Sequence, residues 1–263
     1  MVVDRYERLS ALLEILGKRG KVDVDDLAAE LDVSAATVRR DLDHLAEQQL
    51  LTRTRGGAVA NNVAYDLPLR YKTARHASQK ERIGRAAASL VDVGSVVGLN
   101  GGTTTTEIAR ALATRSDLST RADGPSMTVV TNALNIANEL AVRPHVKIVV
   151  TGGVARQQSF ELIGPLATKI LAEITLDVVF IGVDAVDPAR GAFAHHEGEA
   201  SINRMMAQSA RKVVVVADSS KLNQHAFAQI CPVTDLHLLI TDAEADPATV
   251  AAFEAEGIEV QVV

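Results

Sequence analysis

One cysteine, no tryptophan, three tyrosines and five phenylalanines in 263 residues rule out several kinds of protein. Cys231 alone closes no internal disulfide and supplies no thiol cluster for a metal. With aromatics at 3%, any core must be built from Val, Leu, Ile and Ala, and a hydrophobic share of 47% is enough for a large one. Positive charge is not in excess. The net charge of −6 argues against a surface coated in nucleic acid, though it leaves room for a local basic patch. No apolar run approaches the roughly 20 residues of a membrane span, and the opening MVVDRYERLS is too charged for a signal peptide. These absences point to a soluble cytoplasmic protein with no membrane partner.

Two stretches with different patterning follow. In residues 1–60, Leu9, Leu12, Leu13 and Leu16 mark one helix face, ended by Gly17 and Gly20. Asp23 is placed to cap a second helix carrying Leu27 and Leu31. Ser34 is placed to cap a third, with Val38, Leu42 and Leu45 as its buried stripe. The outer surface of that third helix offers Ala35, Thr37, Arg39, Arg40 and Asp43. Helix, short turn, helix is the layout that sets a second helix in the major groove. Leu50–Val59 then alternates into a strand and breaks at Gly56-Gly57, as a hairpin wing does. Arg53 and Arg55, two apart, are expected on one strand face beside DNA phosphates. Residues 1–60 hold 9 Lys/Arg against 11 Asp/Glu, so the inference rests on placement rather than bulk charge. The alternative is a helical protein-interaction module. Residues 61–77 show no sustained period and read as a linker that carries Arg70, Lys72 and Arg75.

From residue 78 apolar runs alternate with helical patterns. The runs are 95–99, 127–131, 147–151, 178–183, 212–217 and 237–242. Such interleaving predicts a mostly parallel sheet covered on both faces, with ligands beyond the carboxyl ends of its strands. Small polar residues stand there: Asn100, Gly101, Gly102, Thr103, Thr104 and Thr105, then Thr131 and Asn132, Gly152 and Gly153, Asp184, and Asp218 to Lys221. Glycines admit close backbone approach, helix N-termini bind anions and hydroxyls add donors, so this set suits a phosphorylated sugar or polyol. The N–H groups and hydroxyls of Gly102–Thr105 would hold phosphate, with Lys221 as counter-charge and Lys80 adding charge from the sheet edge. Asn132, Asp184 and Glu197 would read hydroxyls. Each piece alone has a plainer reading, as a turn, a helix cap or a solvated surface.

VGLNGGTTTTEI, residues 97–108, is not a phosphate-binding P-loop, because no Lys follows its glycines, and it is not a dinucleotide fingerprint. In His195-His196-Glu197-Gly198-Glu199 the adjacent histidines diverge and make poor joint metal ligands. Of Glu197 and Glu199, one is expected to cap the following helix and one to face the ligand. Neither a metal nor a cofactor is implied.

These residues resemble a DeoR-type bacterial transcriptional regulator along essentially the full length. The N-terminal likeness is VDDLAAELDVSAATVRRDLDHLAEQQLLTRTRGGAV. The C-terminal likeness runs through QKERIGRAAASLVDVGSVVGLNGGTTT, VVTNALNIANEL, TGGVARQQSFELIGPLA, DVVFIGVDAV and ADSSKL. The resemblance implies a winged helix-turn-helix over 1–60 and an effector-binding α/β domain over 78–263, similar to ribose-5-phosphate isomerase and CoA-transferase folds. It further implies a repressor of carbohydrate genes, with operator DNA and a phosphorylated sugar or polyol as partners. A homodimer or homotetramer follows, since paired half-sites need two reading heads. The DNA-contacting set would be Ser34, Ala35, Thr37, Arg39, Arg40, Arg53, Arg55 and Gly56. The same kinship offers an alternative, a sugar-phosphate isomerase or deaminase-like enzyme. Against it, Asp184 and Asp187 remain, but Ala185 replaces an acid of the isomerase pattern and its Lys-Gly-Gly stretch is absent. Two departures from the regulators stand out: Asn100-Gly101 where Asp-Ala is common, and HHEGEA where many carry a Pro-rich turn.

Overall fold

The computed structural model describes residues 5–48, 50–60, 68–73, 76–115, 117 and 124–263. The chain divides into two compact units, Met1–Arg75 and His76–Val263.

In the first unit α1 (Arg5–Arg19) runs through Gly17, which was expected to end it, and stops at Gly20. β1 (Lys21–Asp23) leads into α2 (Val24–Glu30), whose N-cap Asp23 accepts from the Asp25 N–H. Asp32 takes a left-handed conformation in the turn to α3 (Ala35–Glu47). Ser34 caps α3 by accepting from the Thr37 N–H at 3.1 Å, an arrangement worth about 1 kcal/mol. β2 (Leu51–Arg53) and β3 (Gly57–Ala60) form the wing. They pair antiparallel in the order β1-β3-β2, and β1 is a strand the sequence pattern did not announce. The leucine stripe expected from sequence is the core: Leu9, Leu12, Leu16, Leu27, Val38, Leu42 and Leu45 are all buried. Arg8 Nε meets Asp41 Oδ2 at 2.6 Å and ties α1 to α3.

Most of 61–77 lies outside the described residues, but 68–73 do not behave as a linker. α4 (Leu69–Lys72) packs on α1, and Tyr71 is buried in the core of the first unit. Its hydroxyl donates to Gln48 Oε1 at 2.6 Å and its carbonyl accepts from Ser10 Oγ at 2.8 Å.

The second unit contains a seven-stranded parallel sheet. Its strands are β4 (Val96–Leu99), β5 (Met127–Thr131), β6 (Val146–Val150), β9 (Leu176–Gly182), β12 (Ala210–Val216), β14 (Leu238–Thr241) and β15 (Glu259–Val262). The order is β15-β14-β12-β9-β4-β5-β6. Successive strand residues alternate between two cores. One is covered by α5 (Ala77–Ser89), α6 (Thr103–Thr114) and α7 (Leu134–Leu140). The other is covered by α8 (Pro165–Leu171), α9 (Glu197–Gln208) and α10 (Pro247–Ala255). Burial of both faces explains the unbroken apolar runs. Two smaller sheets accompany it: the hairpin β7 (Val154–Arg156) with β8 (Glu161–Ile163), and β10 (Ala185–Asp187), β11 (Gly191–Ala194) and β13 (Ala228–Cys231). The chain leaves β4 toward β5 and β6, then returns to β9 on the other side. The topological switch point therefore lies between β4 and β9, where open α/β sheets hold ligands.

Candidate functional site

On the first unit, Ser34, Arg39 and Arg40 are exposed on α3, and Ala35 and Thr37 are half-buried. The Thr37 hydroxyl lies 2.9 Å from Ser34 Oγ, so the two share the capping turn. The wing differs from expectation. β2 ends at Arg53, so Arg55 and Gly56 are exposed in the turn, and the two arginines do not share a strand face. Arg53 Nε pairs with Asp43 on α3 at 2.8 Å, and its guanidinium also donates to the Gly57 carbonyl. Arg53 thus fastens the wing to α3, while Arg55 stands out from it.

At the switch point of the second unit, Asn100 is fully buried and bridges the two central strands. Its Nδ2 donates to Gly182 O at 2.9 Å and its Oδ1 accepts from Gly182 N at 2.8 Å. Asn100 therefore holds the loop in place with both ends of its amide. Gly101 packs against Glu161: a Cβ there would meet Glu161 Cγ at 2.2 Å, so the Glu161 side chain would have to shift. Gly102, at φ +151, is the N-cap of α6 and brings no side-chain cap. The first N–H groups of a helix lack intrahelical partners and carry the positive end of its dipole. Those of Thr103, Thr104 and Thr105 stand at this end of α6. Thr104 and Thr105 are buried and Thr103 is half-buried. The hydroxyls of Thr105 and Thr106 turn back to the Gly102 carbonyl.

Thr131 and Asn132 end β5, both fully buried. Thr131 Oγ1 accepts from Ala133 N at 3.0 Å, a helix-entry bond. Asn132 Nδ2 donates to Glu161 Oε2 at 2.8 Å. Gly152 and Gly153, both at positive φ, lead from β6 into the hairpin. That hairpin lies across the end of β5: Leu162 N donates to Asn132 O, Leu134 N donates to Phe160 O, and Glu161 bridges to Ala133. Glu161 thus joins the loops after β4, β5 and β6. Across the hairpin, Arg156 is the register partner of Glu161 and pairs with Glu199 of α9 at 3.0 Å. Glu161 and Arg156 were absent from the site derived from sequence, while Glu199 is one of the two glutamates of which one was expected to face the ligand.

On the other side of the switch point, Asp184 is half-buried and accepts from the His195 N–H at 2.9 Å. Asp187 accepts from the N–H groups of Ala189 and Arg190, and lies 3.3 Å from His225 Nε2. Ala185, between them, is buried. Glu197 is exposed at the start of α9, and the cap expected from a glutamate there is His196, whose Nδ1 accepts from Gly198 N. Lys221 is half-buried in a one-turn 3-10 helix after β12, capped by Asp218. Asp242, beyond β14, accepts from Ser219 N at 2.7 Å and steadies that turn. Lys80 is buried in the first turn of α5. α5 packs over β12 and β14, not on an edge strand. Gln79 donates to Glu244 just beyond β14, so the first turn of α5 sits at the carboxyl end of the sheet. Among the described residues no three His, Cys, Asp or Glu form a metal-ligand cluster, and no helix is long and apolar enough to cross a membrane.

The architecture is a winged helix-turn-helix followed by an open parallel α/β unit. Residues 8–64 match the DeoR-like helix-turn-helix domain and residues 75–243 match the DeoR C terminal sensor domain. The chain is 33% identical to a protein assigned as an aga operon transcriptional repressor in Escherichia coli O157:H7, over 100% of this chain and 95% of that one. It is 30% identical to the Glycerol-3-phosphate regulon repressor of Escherichia coli K12, over 90% of each. It is 32% identical to the HTH-type transcriptional repressor GlcR of Bacillus subtilis, over 97% of this chain and 95% of that one. The chain belongs to the DeoR family. Among solved structures, a ribose 5-phosphate isomerase from Methanocaldococcus jannaschii aligns with a TM-score of 0.42 at 19% identity, over 56% of this chain and about half, 54%, of that one.

Proposed function

We propose that the protein is a repressor of carbohydrate genes, controlled by a phosphorylated sugar or polyol bound where β4 and β9 part. The observation that carries this reading is the uncapped start of α6, with Gly102 and the N–H groups of Thr103–Thr105 at the switch point. Lys221 supplies the counter-charge after β12, and Asn132 and Asp184 read hydroxyls. Lys80 raises the positive potential at the same end of the sheet. The name of one relative, the Glycerol-3-phosphate regulon repressor, supports the reading.

On the DNA side, α3 enters the major groove, with Arg39 and Arg40 toward base edges and Arg55 toward phosphate. Operators with two half-sites require a dimer or a tetramer. The ligand acts by binding one of two conformational states more tightly, which moves the population between operator-competent and incompetent forms.

Titration calorimetry against pentose, hexose and polyol phosphates tests the pocket. Thr104→Ala and Lys221→Ala should each weaken binding by about tenfold or more, a loss of roughly 1.4 kcal/mol. Unchanged affinity in both variants would remove the assignment. Turnover assays on the same compounds test the isomerase-like alternative, whose retained acids Asp184 and Asp187 already accept backbone N–H groups.

A further inference from the structure

The start of α6 is held by a chain of hydrogen bonds that begins on another helix. Asn135, in the first turn of α7, donates from Nδ2 to Thr106 Oγ1 at 2.8 Å. Thr106 Oγ1 then donates to the Gly102 carbonyl at 2.6 Å, and the Thr106 N–H reaches the same oxygen at 3.1 Å. An amide nitrogen only donates, so the Thr106 hydroxyl proton is left for Gly102. Gly102 stands at φ +151, where a glycine backbone turns readily. The Gly102–Thr103 peptide is planar and trans, so its carbonyl and the Thr103 N–H point in opposite directions. Holding that carbonyl along α6 therefore aims the Thr103 N–H out past the helix start. Two buried amide oxygens nearby have no donor, Asn135 Oδ1 and Asn132 Oδ1. Asn132 is 0% exposed, and its partner Glu161 packs on Gly101. Buried acceptors seldom lack donors, so these two point to a ligand beside the start of α6 independently of its N–H groups.

We infer that Asn135 is a positioning residue for the effector's phosphate. Acting through Thr106, it sets the Gly102 carbonyl and so aims the Thr103 N–H at the phosphate. The inference rests on the effector reading above and adds to it a residue from a second helix. Asn135 is itself placed from further off. The neighbouring Leu134 N–H donates to Phe160 O, so the hairpin across β5 fixes the start of α7 and, through Asn135, the loop before α6.

Two measurements on the full chain test this. The first is calorimetry with pentose, hexose and polyol phosphates. Asn135→Ala should weaken every one that the wild type binds by about fivefold, and Thr106→Val by about tenfold. The double variant should bind no more weakly than Thr106→Val alone, because Asn135 acts through that hydroxyl. Thr106→Ser keeps the hydroxyl and should stay within about twofold of wild type. Asn138→Ala, at an exposed position of the same helix, should bind as wild type does. The second measurement reads the Thr103 amide in 15N-threonine-labelled protein without ligand. Its signal should move in Asn135→Ala and Thr106→Val and stay in place in Asn138→Ala. Unchanged affinity in Asn135→Ala, losses that add in the double variant, or an unmoved Thr103 signal overturns the inference. Failure of every sugar phosphate to bind the wild type overturns the effector reading itself, and the Thr103 signal still decides whether Asn135 sets the loop.

Discussion

Asn100 and Gly182 close the gap between the two central strands with a reciprocal pair of hydrogen bonds, 2.9 Å from the amide nitrogen and 2.8 Å to the amide oxygen. Asn100→Asp retains one bond and turns a carboxylate oxygen toward the Gly182 carbonyl. The expected cost is about 1–3 kcal/mol, because the buried carbonyl loses its donor. Thermal unfolding reads this directly. An unaltered midpoint would mean the clamp contributes nothing.

The two wing arginines should separate experimentally. Arg55 is exposed, so Arg55→Ala should lower the salt slope of DNA binding by about one unit with little effect on stability. Arg53 holds Asp43 and the Gly57 carbonyl, so Arg53→Ala should loosen the wing and lower the unfolding midpoint. Arg39→Ala or Arg40→Ala should cost about 1–3 kcal/mol of specific binding if the side chain contacts a base. Operator titrations at three salt concentrations separate these effects.

Asp41 is buried against Arg8 and lies inside the helical core. Asp41→Ala takes the carboxylate away from the Arg8 guanidinium and breaks the tie between α1 and α3, at an expected cost of about 3 kcal/mol. DNA binding should fall with it, although Asp41 is not on the surface of α3. Circular dichroism during thermal unfolding checks the stability, and the Arg8→Met, Asp41→Leu pair should recover part of it.

Burial pushes the Cys231 thiol up to about 12, with Asp235 adding to the shift. The folded thiol therefore stays protonated where the unfolded one, with an ordinary value of 9.0, ionises. Relative to Cys231→Ala, stability should hold below pH 9 and fall as pH rises from there toward about 12. The slope should approach about 1.4 kcal/mol per pH unit. Thiol labelling at pH 8 should be negligible until the protein is unfolded. Rapid labelling of the folded chain would contradict this environment.

What the sequence disclosed follows from the physics of each element. β9 from Val178 to Ile181 and β12 from Val213 to Val216 are apolar and buried on both faces, so they were visible as runs. β15, Glu-Val-Gln-Val, is an edge strand with Glu259 and Val262 exposed and no residue fully buried, and it escaped notice. The caps at Asp23 and Ser34 were legible because a cap acts within three residues. The glycine-threonine loop was legible for the same reason. Glu161 was not, because its partner Asn132 lies 29 residues away and only the folding of the hairpin over β5 brings them together. Arg156 and Glu199 are 43 residues apart and equally silent in a local reading. The pairing of Arg53 with Asp43, 10 residues apart, was also beyond a local reading, and the wing arginines looked equivalent.

Tyr71 anchors the last described turn of the first unit at two places, through its carbonyl to α1 and through its hydroxyl to Gln48 at the end of α3. A pull on the chain beyond Thr73 is therefore borne by the helix core and by the terminus of the helix that presents Arg39 and Arg40. Tension along the backbone would thus bear on the seating of α3.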